Sequence, residues 1–63
     1  MKYSKLEKMM VEKNITRYRL AKVTGIAPSD IYSALNGNRK MYSGWKKRIA
    51  DALDVKISDI FDD

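Results

Sequence analysis

The chain has 63 residues, with 13 Lys/Arg, 8 Asp/Glu and a formal net charge of +5, which is the size of one small domain. Having neither Cys nor His, it lacks disulfides, argues against a structural zinc site and fits a reducing, intracellular compartment. A chain this short buries only about 60% of the surface its unfolded form exposes, so stability must come from helix packing or self-association.

A first helix is predicted over Ser4–Lys13. Ser4 is its expected cap, with Glu7 at capping-box spacing, and Leu6, Met9, Met10 and Tyr3 share one face. Asn14 is expected to take a left-handed conformation beyond it. A second helix, Arg17–Thr24, has Thr16 as N-cap and turns Leu20 and Ala21 inward with Val23 or Thr24; Gly25 stops it. A third, Pro28–Asn36, opens on a proline suited to a first turn. Ile31 and Leu35, four apart, mark its buried face, Ala34 allows close approach, and Gly37 ends it.

Residues 37–42 read as a loop. A fourth helix follows over Gly44–Leu53, with Ser43 as cap and Trp45, Ile49, Ala52 and Leu53 on one stripe. A short last turn, Ser58–Phe61, has Ser58 as cap; Ile57, Ile60 and Phe61 can pack back on the body. The four Met residues read as core filling. Nothing reads as a strand, a repeat or a low-complexity segment, and no apolar run suits a membrane span or a signal peptide. The expectation is an all-α, compact five-helix fold, residues 1–63 forming a single domain.

Charge is unevenly spread. Residues 1–50 hold twelve Lys/Arg against three Asp/Glu, whereas residues 51–63 hold Lys56 and five Asp. A basic body with an acidic tail suits a polyanion on one face; a merely solvated surface is the plain alternative.

The second and third predicted helices meet across a tight, glycine-containing corner. Ala21 is small where the third helix passes, Ile26 plugs the corner, and Ile31 packs beneath it. This is the pattern of a helix-turn-helix, whose second helix enters the DNA major groove. The stretches "ITRYRLAKVTGIAPSDIYSALNGNRK" and "RIADALDVKISDIF" resemble the Cro/lambda-repressor (XRE-like) helix-turn-helix family. The matching positions are Thr16, Arg17, Leu20, Ala21, Gly25, Ile26, Ile31, Leu35, Asn36, Gly37, Ile49, Ala50, Ala52, Leu53, Val55, Ile60 and Phe61. Two departures stand out. Asp54 occupies a position where the family prefers glycine, which strains that turn. Pro28 replaces a common Gln that reads a base, so base recognition is shifted or rests on fewer polar contacts.

The resemblance implies a lambda-repressor-like DNA-binding domain: a sequence-specific regulator of phage or bacterial origin, cytoplasmic and nucleoid-associated. A small Cro-like repressor on a palindromic operator, free of an effector or protease domain, is the expected form. Pro28, Ser29, Tyr32 and Ser33 are the candidate base contacts. Tyr32 lies on a thymine methyl, bonds a phosphate, or simply half-covers the domain surface. Asp30 is read as supporting the helix N-terminus through its dipole, with acceptance from a cytosine amine as the lesser role.

Thr16, Arg17, Asn36, Asn38, Arg39, Lys40, Ser43, Lys46 and Lys47 are the candidate phosphate contacts; for each single Lys or Arg, simple solvation is the bland alternative. Trp45, Ile57 and Phe61 are candidate dimer contacts, against ordinary core closure. The expected partners are double-stranded DNA and a second copy; no cofactor, metal, small-molecule ligand or membrane is called for.

A protein-binding module (antitoxin, anti-repressor or adaptor) on the same fold is the alternative, motivated by Pro28, Asp30 and the acidic tail. An enzyme is disfavoured: Ser29 and Ser33 have no evident base, the acidic residues are few and scattered, and no phosphate-cradling Gly-rich loop exists. A single-strand binder is the poorer fit, since aromatics are not arrayed on one open face.

Overall fold

A computed structural model describes residues 3–61. Its helices are α1 (Ser4–Glu12), α2 (Arg17–Thr24), α3 (Pro28–Leu35), α4 (Ser43–Leu53) and α5 (Ile57–Ile60), with no strand among the described residues. Met1, Lys2, Asp62 and Asp63, and with them part of the acidic tail, one of the cations and one of the four methionines, lie outside the described residues.

Each helix contributes one apolar stripe to a single core. Leu6 and Met10 come from α1, Leu20 and Ala21 from α2, Ile31, Ala34 and Leu35 from α3, and Ile49, Ala50 and Leu53 from α4. Ile60 and Phe61 close the core at the α5 end, and Phe61 meets Tyr3 edge-to-face at 5.9 Å between ring centroids. Packing is α2 on α3 and α4, α1 on α5, and α4 on α5. No polar or charged residue is buried among the described residues, so shape alone specifies the interior.

Local chemistry explains several boundaries. Thr16 caps α2: its hydroxyl oxygen accepts from the Arg19 N–H at 3.1 Å. Asn14, at φ 56°, takes the left-handed conformation expected past α1, and the Ile15 N–H closes the turn on the Met10 carbonyl at 2.8 Å. Asp54, at φ 58°, does the same after α4, where the Val55 N–H reaches the Ala50 carbonyl at 3.0 Å. A carboxylate thus sits in a left-handed position at the negative end of a helix, unfavourable on both counts.

Three serine caps expected from sequence are absent. α1 is preceded by Tyr3 with no side-chain cap; Ser4 is its first residue, and the Glu7 carboxylate bonds Arg17 instead. α4 is preceded by Tyr42, with Ser43 already inside the first turn. At α5 the cap position is Lys56, whose N–H donates to the Asp59 carboxylate at 3.0 Å; Ser58 is one residue into the helix. In each case serine is accommodated in the first turn although it prefers the cap, so its position alone does not fix the boundary to the residue. The ends of α1 and α3 fall one residue short of expectation, at Glu12 and Leu35.

Candidate nucleic-acid interface

The junction of α2 and α3 is three residues long, Gly25, Ile26 and Ala27. Gly25 lies at φ 77°, where an L side chain is strained, and its N–H donates to the Ala21 carbonyl at 3.0 Å. Thr24 stitches the corner. Its hydroxyl approaches the Leu20 carbonyl at 2.8 Å and the Ala21 carbonyl at 3.2 Å, and accepts from the Ile26 N–H at 3.3 Å. Of the two residues left open at this position, Thr24 is the inward one and Val23 stays exposed. Ile26 is buried under the turn, and Ile31, wholly buried, pins α3 to the core.

With Ile31, Ala34 and Leu35 inward, the outer face of α3 presents Pro28, Ser29, Tyr32 and Asn36, with Ser33 half-buried beside them. Tyr32 is 43% exposed. The chain leaving α3 folds back on it: the N–H groups of Asn38 and Arg39 converge on the Ser33 carbonyl at 2.8 and 3.2 Å, and Gly37 turns the backbone at φ 84°. Met41, buried, pegs this loop to the core. Asn36, Asn38, Arg39 and Lys40 are therefore held exposed beside the end of α3 on an anchored loop.

Arg17 opens α2 and reaches both neighbouring elements. Its Nη2 donates to Glu7 Oε1 at 2.8 Å, and its guanidinium lies 5.9 Å from the Tyr32 ring centroid. Arg39 Nε lies 3.5 Å from Asp30 Oδ1, so Asp30 has a cationic partner in addition to its place in the first turn of α3. Neither pairing is visible in local sequence spacing, and Glu7 is not among the expected site residues because its spacing from Ser4 reads as a capping box, which hides its pairing with Arg17.

The remaining cations divide. Lys40 lies 5.9 Å from the Tyr42 ring centroid, and Ser43 is exposed at the head of α4. Lys47 pairs with Asp51 at 3.7 Å along the solvent side of α4, and Lys46 lies 5.5 Å from the Phe61 ring centroid, towards the α5 end of the core. Arg17, Tyr32, Asp30 and Arg39 are thus gathered around α3, whereas Lys46 and Lys47 are engaged within α4 and with Phe61.

Phe61 is only 3% exposed and belongs to the chain's own core, so it has almost no surface to offer a second copy. Ile57 is 38% exposed, and Trp45 is half-buried against Tyr42, edge-to-face at 5.0 Å. Among the described residues no cluster of His, Cys, Asp or Glu could hold a metal ion, and no helix is long and apolar enough to cross a membrane.

A buried-core helix pair joined by a glycine corner, with the second helix's outer face open, defines a helix-turn-helix protein. Compared with known families, residues 5–63 match the Cro/C1-type HTH DNA-binding domain, and the chain belongs to that family. Comparison with curated proteins and with solved structures finds no match. The family's fold is a DNA-binding regulatory one and not typically enzymatic.

Proposed function

We propose that the protein is a sequence-specific regulator of transcription that binds double-stranded DNA with α3 in the major groove. The observation that carries this is the open outer face of α3, anchored by Ile31 and flanked by Arg17 and Arg39. Pro28, Ser29, Tyr32 and Ser33 meet base edges or thymine methyls. Thr16, Arg17, Asn36, Asn38, Arg39, Lys40 and Ser43 meet phosphates and fix the register. Lys46 and Lys47, on the first turns of α4, add further phosphate contacts, the exposed pair of Lys47 with Asp51 being weak enough to yield.

Residues 1–63 act as one helix-turn-helix domain, repressing by occupying its site. Because α3 is short and offers few polar readers, useful affinity needs two copies on a palindromic operator, half-sites about one helical turn apart. Ile57, 38% exposed, and the Tyr42–Trp45 pair offer apolar surface for that contact. A bacterial or phage-encoded protein acting at the nucleoid is the setting this reading implies. The pairing of Asp30 with Arg39 is compatible with this reading, since the carboxylate has a cation of the same chain beside it.

Selection of bound duplexes from a random library tests the proposal. A two-fold symmetric consensus is expected; failure to enrich any duplex at low salt would refute it.

A further inference from the structure

We propose that Glu7 sets the DNA selectivity of the α3 face by acting through Arg17, a role that rests on the reading of α3 as the DNA-reading helix. Three elements meet at this point. Glu7 on α1 binds Arg17 on α2 at 2.8 Å, and the Arg17 guanidinium lies 5.9 Å from the centroid of Tyr32 on α3. Capping does not account for Glu7, since α1 has no side-chain cap hydrogen bond. The side chains of Arg17 and Glu7 are 38% and 24% exposed, a partly sheltered pair and not two freely solvated charges.

Two consequences follow from that geometry: the first raises discrimination, and the second lowers affinity for every duplex alike. A guanidinium has five N–H donors, and the hydrogen bond to Glu7 occupies one. The others remain for a phosphate, but from one fixed place, against the face of Tyr32. The phosphate contact and the Tyr32 ring are then coupled in register: a duplex that fits one fits the other. The carboxylate also offsets the charge of Arg17 beside the DNA, which weakens attraction to any phosphate whatever the sequence. Glu7 is a positioning residue in this account, since it touches Arg17 and not the bases.

The test measures affinity of the full chain for its selected duplex and for a random-sequence duplex of equal length, across a salt series. Four proteins are compared: wild type, Glu7→Gln, Arg17→Gln and the double variant, each checked for helical content and melting. Glu7→Gln is expected to tighten binding to the random duplex and to lower the selected-to-random ratio by about threefold to tenfold, with a salt slope steeper by up to about one. In the Arg17→Gln background the same substitution is expected to leave the ratio unchanged. A purely structural role for Glu7 would lower melting and shift both affinities by one common factor, overturning the proposal. So would an equal change of ratio with and without Arg17. A wild-type chain that discriminates among no duplexes overturns the reading of α3, and the proposal with it; a wild type that discriminates, with a ratio indifferent to Glu7, overturns the proposal alone.

Discussion

Arg39 Nε lies 3.5 Å from Asp30 Oδ1, so the loop that leaves α3 is tied back to the first turn of the same helix. Asp30 therefore serves two structural ends at once: it complements the N-terminal dipole of α3 and holds a cation of the following loop. Both groups remain substantially exposed, so the pair contributes little to stability on its own.

Asp30→Asn is expected to lower stability by about 0.5–1 kcal/mol, chiefly through the dipole. It should also tighten binding to duplex at low salt, because a negative charge beside the phosphates is gone. Urea unfolding and a binding titration check the two effects. Weaker, base-selective binding would instead reveal that Asp30 accepts from a cytosine amine.

Gly25→Ala should cost about 1–2 kcal/mol in urea unfolding, since an L residue at φ 77° is strained. A Cβ there would meet no atom from elsewhere in the fold within 4 Å, so the loss comes from the local backbone conformation and not from a tertiary clash. Gly25→Asn, a residue that tolerates left-handed backbone, should recover part of it. Equal losses for the two variants would point to a clash that the corner does not contain.

Asp54→Gly should stabilise the fold. It relieves a non-glycine residue at φ 58° and removes a negative charge from the C-terminal end of α4. Even after the added freedom of the unfolded chain, a rise in melting temperature of about 2–6 °C is expected by calorimetry. DNA affinity, measured well below melting, should change little.

Ile31→Ala removes a side chain with no exposure and should cost about 2–5 kcal/mol. A domain this small has roughly 3–9 kcal/mol of stability in all, so the variant is expected to be largely unfolded when warmed. Circular dichroism melting checks it. A near-native melt would mean that α3 is not anchored through Ile31.

The corner between α2 and α3 was legible because its signals are local. Thr16, Gly25 and Pro28 each carry a backbone preference strong enough to place a boundary, and α2 begins and ends at the expected residues. The apolar stripe of α3 was equally plain. The serine caps were not: Ser4, Ser43 and Ser58 prefer a cap but also sit in a first turn, and interactions elsewhere accompany the shift, Arg17 with Glu7 and Asp59 with the Lys56 N–H.

What escaped the sequence altogether are relationships between elements. Glu7 and Arg17 are ten residues apart, and only the packed turn at Asn14 and Ile15 brings them together. The exchange of roles between Ile57 and Phe61, one exposed and the other buried, likewise depends on where α5 begins. Lys46 lies 5.5 Å from the Phe61 ring centroid at the α5 end of the core, a position that a charge count along α4 does not give.

The central claim is that the outer face of α3 reads the major groove, and methylation interference on the selected duplex tests it most directly. Guanine N7 lies in that groove, so methylation there should block binding at a few positions in each half-site, while adenine N3 methylation in the minor groove should be tolerated between them. Binding indifferent to every N7 methyl group, or blocked only from the minor groove, would contradict the account.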